Sequence, residues 1–213
     1  MTEKLYYIDS HMKTFTAAVT SCEKDGERYL VTLDRTAFFP EGGGQPGDSG
    51  MIGDVHVFDT HEKNGEILHY VNREIEPGRT YDCAIDWETR FRRMQNHSGE
   101  HIVSGLVHKK YGYNNVGFHM GSDVVTIDFD GELSWEQLSE IERDANYAVA
   151  ANYKVTATFP PEEVLKTLDI QGRFSIMGVS LFFYEDLIMS KKNNMMMSMA
   201  KFMEADLIKN TVQ

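Results

Sequence analysis

Residues 81–106 read YDCAIDWETRFRRMQNHSGEHIVSGL, and within them the chain changes its period. Tyr81, Cys83, Ile85 and Trp87 alternate with polar or small neighbours, the spacing of a half-buried strand. Phe91, Met94, Ile102 and Leu106 then recur at helical spacing, and no proline interrupts the stretch to Tyr111. Gly99 and Gly105 each weaken that helix by about 1 kcal/mol relative to alanine, while allowing a neighbouring element to pack closely. A switch from period two to period 3.6 near Trp87–Arg90 marks the end of an all-β region and the start of an α+β one.

Upstream, the same alternation appears in Phe15, Ala17 and Val19 and in Tyr29, Val31 and Leu33. Turn signals separate these runs at Asp25-Gly26, Glu41–Gly50 (EGGGQPGDSG), Asn64-Gly65 and Pro77-Gly78. Many short strands at such spacing predict an antiparallel barrel or sandwich. Downstream, NNVGFHMGSD reads as a loop, and Val125, Ile127 and Phe129 as a strand. Ser134-Trp-Glu-Gln137 is a capping box, followed by Leu138, Ile141, Ala145, Ala148 and Val149 on one helical face. Tyr153, Val155, Ala157 and Phe159 alternate as a further strand before Pro160-Pro161, and a short helix is expected at Glu162–Leu168. Beyond Asp169 no periodicity is clear, and seven of the 12 methionines fall between Met177 and Met203.

With 213 residues the chain holds one large domain or two small ones. It has no apolar run long enough to span a bilayer, and the N-terminus MTEKLYYIDSHMK does not read as a signal peptide. Two cysteines, Cys22 and Cys83, suit a reducing cytoplasm. A net charge of −12 argues against a general nucleic-acid binder, so any RNA contact must be local. The compact basic run is Arg90, Arg92 and Arg93, with Lys109 and Lys110 further on; a solvated helix surface and tRNA contacts are both open readings.

Two motifs could carry chemistry. His97 and His101, four apart on a helix, put both rings on one face, where they can ligate a metal ion, zinc being usual. Hydrogen-bonded or surface histidines are the alternative. Glu100 is expected to point off that shared face. Gly42-Gly43-Gly44 can expose backbone amides to an anion or form a tight connection between strands.

Taken together, the motifs point further. Thr36–Gly50 resembles the glycine-rich signature of the stand-alone alanyl-tRNA editing proteins (the AlaX group). Arg93-Met-Gln-Asn-His-Ser-Gly-Glu-His-Ile-Val-Ser-Gly is similar to the His-x-x-x-His helix of the editing domain shared by alanyl- and threonyl-tRNA synthetases, and Gly117–Phe129 to the loop and strand after it. The resemblance covers residues 1 to about 169. It implies an α+β fold: a β-barrel over 1–88 carrying the glycine loop, an incomplete editing domain over 89–169, and a divergent Met-rich tail over 170–213. It also implies hydrolysis of tRNA(Ala) mischarged with serine or glycine, contact with the tRNA acceptor end, no membrane, and an oligomeric state left open, a dimer included.

Residue by residue, it makes His97 and His101 zinc ligands. Thr36, Gly42, Gly43, Gly44, Gln45 and Arg93 become substrate-binding candidates, and His119 and Glu100 catalytic candidates. The family completes its zinc site with a later Cys-x-x-x-His, but this chain has no His after His119 and no Cys after Cys83. Zinc is therefore expected to be weakly held or absent, with His119, Glu100, Asp123 or a residue of a partner chain as a third ligand. A truncation or frame change is the expected origin of the divergent end, with divergence into a metal-poor relative as the alternative. The alternative to an active hydrolase is an impaired homologue that binds RNA or a partner without turnover.

Overall fold

The computed structural model describes residues 2–121 and 124–152, and the backbone of 181–184 and 187–190. The expected strand at Tyr153–Phe159, the helix at Glu162–Leu168, the Met195–Met197 run and Asp123 lie outside the described residues. The chain divides into two compact units, Met1–Arg93 and Met94–Gln213.

The first unit begins with β1 (Glu3–Lys4) and a 3-10 turn at Leu5–Tyr7. There follow β2 (Thr14–Asp25), β3 (Arg28–Leu33), β4 (Arg35–Thr36), β5 (Gly50–Ile52), β6 (Val55–Lys63), β7 (Glu66–Val71) and β8 (Thr80–Ile85). Six of these strands are antiparallel neighbours in the order β2-β3-β7-β6-β5-β8, and β8 also pairs with β2, so the sheet closes on itself. The turn chemistry is local. Asn64 and Gly65 both have positive φ (54° and 83°), the two-residue geometry that matches the twist of paired strands. The alternation read from the sequence separates the faces: Ala17, Val19, Val31, Leu33, Cys83 and Ile85 are buried in one cluster with Phe38, Ile52, Val57 and Val71.

A histidine sits in that interior. His69 on β7 is fully buried, with Nδ1 2.9 Å from the Val31 carbonyl and Nε2 2.8 Å from Thr36 Oγ1. A carbonyl only accepts, so Nδ1 carries the proton and Nε2 accepts from the Thr36 hydroxyl, which itself accepts from Phe38 N–H. Burial pushes His69 down to about 4. The unfolded chain, titrating near 6.5, therefore binds this proton first. Stability from His69 is complete above pH 6.5, falls as the pH drops, and is lost by about pH 4, a change of about 3 kcal/mol. Urea unfolding of His69→Asn against wild type across pH 4–7 checks this: the variant should lack that portion of the acid slope.

α1 (Trp87–Tyr111) follows, starting in the first unit with its greater part in the second. Trp87 opens this helix instead of closing β8. Asp86 accounts for the difference: its Oδ1 accepts from Thr89 N–H at 3.2 Å and its carbonyl from Arg90 N–H at 3.0 Å, so it caps the first turn.

The second unit contains β9 (Asn115–Met120), β10 (Val125–Phe129) and α2 (Trp135–Ala151), with backbone strands β11 (Leu181–Tyr184) and β12 (Leu187–Ser190) paired antiparallel. β9 occupies much of the stretch expected to be a loop. Its Asn and Gly residues resemble turn chemistry, yet it pairs antiparallel with β10, with a register shift between Asp128 and Phe129. A Cβ at Gly117 would lie 2.6 Å from Asp128 Oδ2, so a larger residue there would require the Asp128 carboxylate to turn aside. The capping box forms as expected: Gln137 N–H donates to Ser134 Oγ at 3.3 Å and Ser134 N–H to Gln137 Oε1 at 2.8 Å. Ala145, Ala148 and Val149 of α2 pack with Ile102 and Leu106 of α1. The whole is a mixed α+β protein with a six-stranded antiparallel sheet and two helices among the described residues. None of those helices is long and apolar enough to cross a membrane.

Candidate functional site

α1 builds the site from its own periodicity. Residues three and four apart share a helix face, and His97, Glu100, His101 and Ser104 are spaced that way. The rings of His97 and His101 stack with centroids 4.9 Å apart and an interplanar angle of 23°. Phe118 of β9 lies 5.2 Å from the His97 ring. Glu100 does not point away from the pair as expected: its Oε2 is 3.0 Å from His101 Nδ1. One ligand-capable atom from each of His97, Glu100 and His101 lies within 4.8 Å of the others.

Burial sets the protonation. His97 and Glu100 are each only 3% exposed. Burial holds the His97 imidazole well below the ordinary histidine range, and the neighbouring His101 lowers it further. Burial lowers His101 too, against an opposing pull from Glu100. Both rings are thus neutral at neutral pH, the form that ligates metal. Two neutral imidazoles on one helical face, with a carboxylate beside them, suit a zinc ion by donor type.

Glu100 is itself anchored. Its Oε1 accepts from Ser104 Oγ at 2.5 Å and from Asn115 Nδ2 at 2.6 Å. Asn115 also donates to Ser104 Oγ at 2.9 Å, and its Oδ1 accepts from Gly117 N–H at 3.0 Å. Ser104 is a residue that sequence reading missed; its place one turn beyond Glu100 is the local signal that could have found it. Asn115 comes from another element, and nothing local marks it.

The structure does not bring His119 to the histidine pair. It is exposed on β9 opposite Thr126, and successive strand side chains face opposite ways, so it departs from the face of Phe118.

The glycine-rich residues form their own structure in the first unit. Gly42 and Gln45 exchange both backbone hydrogen bonds, at 3.0 and 3.1 Å, and Gly43 and Gly44 between them have φ of 61° and 77°. This is a tight two-residue turn, and it uses the Gly42 and Gln45 amides internally. Thr36 is buried in its bond to His69. Arg93 donates to the Gly47 carbonyl at 2.7 Å, at the far end of the loop. Arg90, read from sequence as either solvated surface or tRNA contact, is instead 2% exposed and ion-paired with Asp48, which is also buried. Asp48 Oδ2 additionally accepts from Phe39 N–H at 2.7 Å, and the Arg90 guanidinium lies over the Phe39 ring at 5.4 Å. Of the other basic residues, Arg92 is exposed, while Lys110 is tied to Glu140 and Asp144 at 2.5 and 2.6 Å. A group that sequence reading missed is Glu41, Asp59 and His61: both ring nitrogens of His61 face a carboxylate, at 2.7 Å from Asp59 and 3.4 Å from Glu41. The i, i+2 spacing of Asp59 and His61 on a strand was its only local signal.

The family model described as class II (A) tRNA synthetases matches residues 2–89. The chain is 39% identical over 153 residues to the alanyl-tRNA editing protein AlaX-L of Pyrococcus horikoshii, covering 68% of this chain and 38% of that protein. It is 35% identical over 169 residues to AlaX-M of Methanosarcina mazei, covering 73% of this chain and 66% of that protein. With AlaX-M of Methanosarcina acetivorans it shares 32% identity over 169 residues, covering 68% of that protein. The match thus spans under two-fifths of the Pyrococcus protein and about two-thirds of the Methanosarcina ones. On the strength of these relatives, the chain belongs to the alanyl-tRNA editing protein family.

Proposed function

We propose that the chain hydrolyses the ester of tRNA(Ala) mischarged with serine or glycine, acting in trans in the cytoplasm on the acceptor end. The carrying observation is the buried, neutral His97–His101 pair with Glu100 beside it. Residues 1–88 form the β-barrel domain, 89–169 the editing domain, lacking the Cys-x-x-x-His half of its site, and 170–213 a divergent Met-rich tail.

In the reaction, the oxygen of a water molecule bonds to the ester carbonyl carbon. The bond from that carbon to the ribose oxygen breaks, and the ribose oxygen takes up a proton. The products are free amino acid and tRNA with a free terminal hydroxyl. Zinc, when bound by His97 and His101, supplies Lewis acidity for the carbonyl and the attacking water. Burial keeps both imidazoles in the neutral form, each with one ring nitrogen free of a proton. His119, exposed on β9, is available to a substrate from solvent. Gly43, Gly44 and Arg93 are assigned to substrate contact through the tight glycine turn and its far end; Gly42, Gln45 and Thr36 hold their shape. Such a second site is needed because a synthetase pocket separates similarly small amino acids poorly.

A second reading has its own support. No His follows His119 and no Cys follows Cys83, so two of the family's four zinc ligands have no counterpart here. The chain would then bind RNA or a partner without turnover. Incubating the purified chain with Ser-tRNA(Ala), with and without zinc, separates the two: ester loss above the spontaneous rate supports the hydrolase, and its absence under both conditions supports the second reading.

A further inference from the structure

Glu100 has its two carboxylate oxygens engaged differently. Oε1 takes two donors, Ser104 Oγ at 2.5 Å and Asn115 Nδ2 at 2.6 Å. Oε2 faces His101 Nδ1 at 3.0 Å. An ionised carboxylate only accepts, so the His101 proton must sit on Nδ1 and the lone pair on Nε2. Asn115 is fixed in turn by Gly117 N–H, so the orientation of Glu100 is dictated from β9 as well as from α1. A carboxylate with this surrounding is committed to hydrogen bonds and has little freedom to turn towards another ligand.

We infer that Glu100 is a positioning residue: held by Ser104 and Asn115, it fixes His101 as the Nδ1–H tautomer and so makes Nε2 the donor atom of the site. This inference rests on the hydrolase reading only for its purpose; the tautomer itself is a property of the metal-free chain. Supporting partners of this kind orient a ligating histidine and raise its basicity, and their loss typically costs 10–100-fold in metal affinity.

Glu100→Gln tests it sharply. The amide has one oxygen and one NH2. Asn115 Nδ2 can only donate, and its orientation is fixed by Gly117 N–H, so the oxygen must face it and the NH2 must face His101. The His101 ring should then flip its proton to Nε2. Adding Asn115→Asp reverses the demand: the NH2 can face the carboxylate introduced on β9, the oxygen can again accept from His101 Nδ1–H, and Ser104 can rotate to suit.

The experiment is long-range 1H–15N correlation of the uniformly labelled, metal-free full chain, with zinc affinity by chelator competition and thermal unfolding as the fold control. Expected are Nδ1–H in wild type, Nε2–H with 10–100-fold weaker zinc in Glu100→Gln, and recovery of both in the double variant. Retention of Nδ1–H in folded Glu100→Gln overturns the inference, whether or not affinity falls. So does a tautomer flip with unchanged zinc affinity. If His97→Ala/His101→Ala binds zinc like wild type, the metal reading fails instead, and the tautomer result still decides the role of Glu100.

Discussion

Replacing His97 and His101 together by alanine is expected to cut deacylation of Ser-tRNA(Ala) by about 10²–10³-fold, the loss typical when a site's principal electrostatic stabiliser is removed. The two rings are stacked on one face of α1, and burial keeps both neutral. Alanine preserves helix propensity, so α1 should persist, although Glu100 Oε2 then loses its partner. Rates of ester loss and bound zinc, measured on the folded variant beside wild type, check the prediction. Equal rates would mean that the pair is not the reactive centre.

The second large effect concerns stability. Asp48→Ala should destabilise the first unit by about 3–5 kcal/mol, because it leaves the Arg90 guanidinium buried without its counter-ion. It also removes the acceptor for Phe39 N–H, so the chain between Phe39 and Asp48 loses two anchors. Asp48→Asn retains an acceptor for Phe39 but not the charge, and should fall between the two. The pair is buried, so added salt should change the difference little. Urea unfolding at low and high salt measures this. A cost under about 1 kcal/mol, or one erased by salt, would mean the pair is effectively solvated.

How legible these features were depends on how local their causes are. Asn64-Gly65 reads as a turn because only its two residues need adopt positive φ. Ser134 and Gln137 read as a cap because both partners lie within one turn. The helical face shared by His97 and His101 follows from spacing alone. Long-range pairing was opaque. Asn115–Met120 looked like a loop, since its role as a strand depends on β10. Arg90 looked like a surface residue, since its burial depends on Asp48, 42 residues earlier. Glu100 was expected to turn away, but a helical residue three positions from one partner and one from another has rotamers that reach either. Asn115 and Ser104 select the one that meets His101.

The most direct measurement compares hydrolysis of Ser-tRNA(Ala) and Ala-tRNA(Ala) by the same zinc-supplemented preparation, with His97→Ala/His101→Ala alongside. The predicted result is rapid loss of the seryl ester, sparing of the alanyl ester, and neither effect in the variant. Loss of the seryl ester no faster than in the variant would contradict a hydrolytic site at His97 and His101.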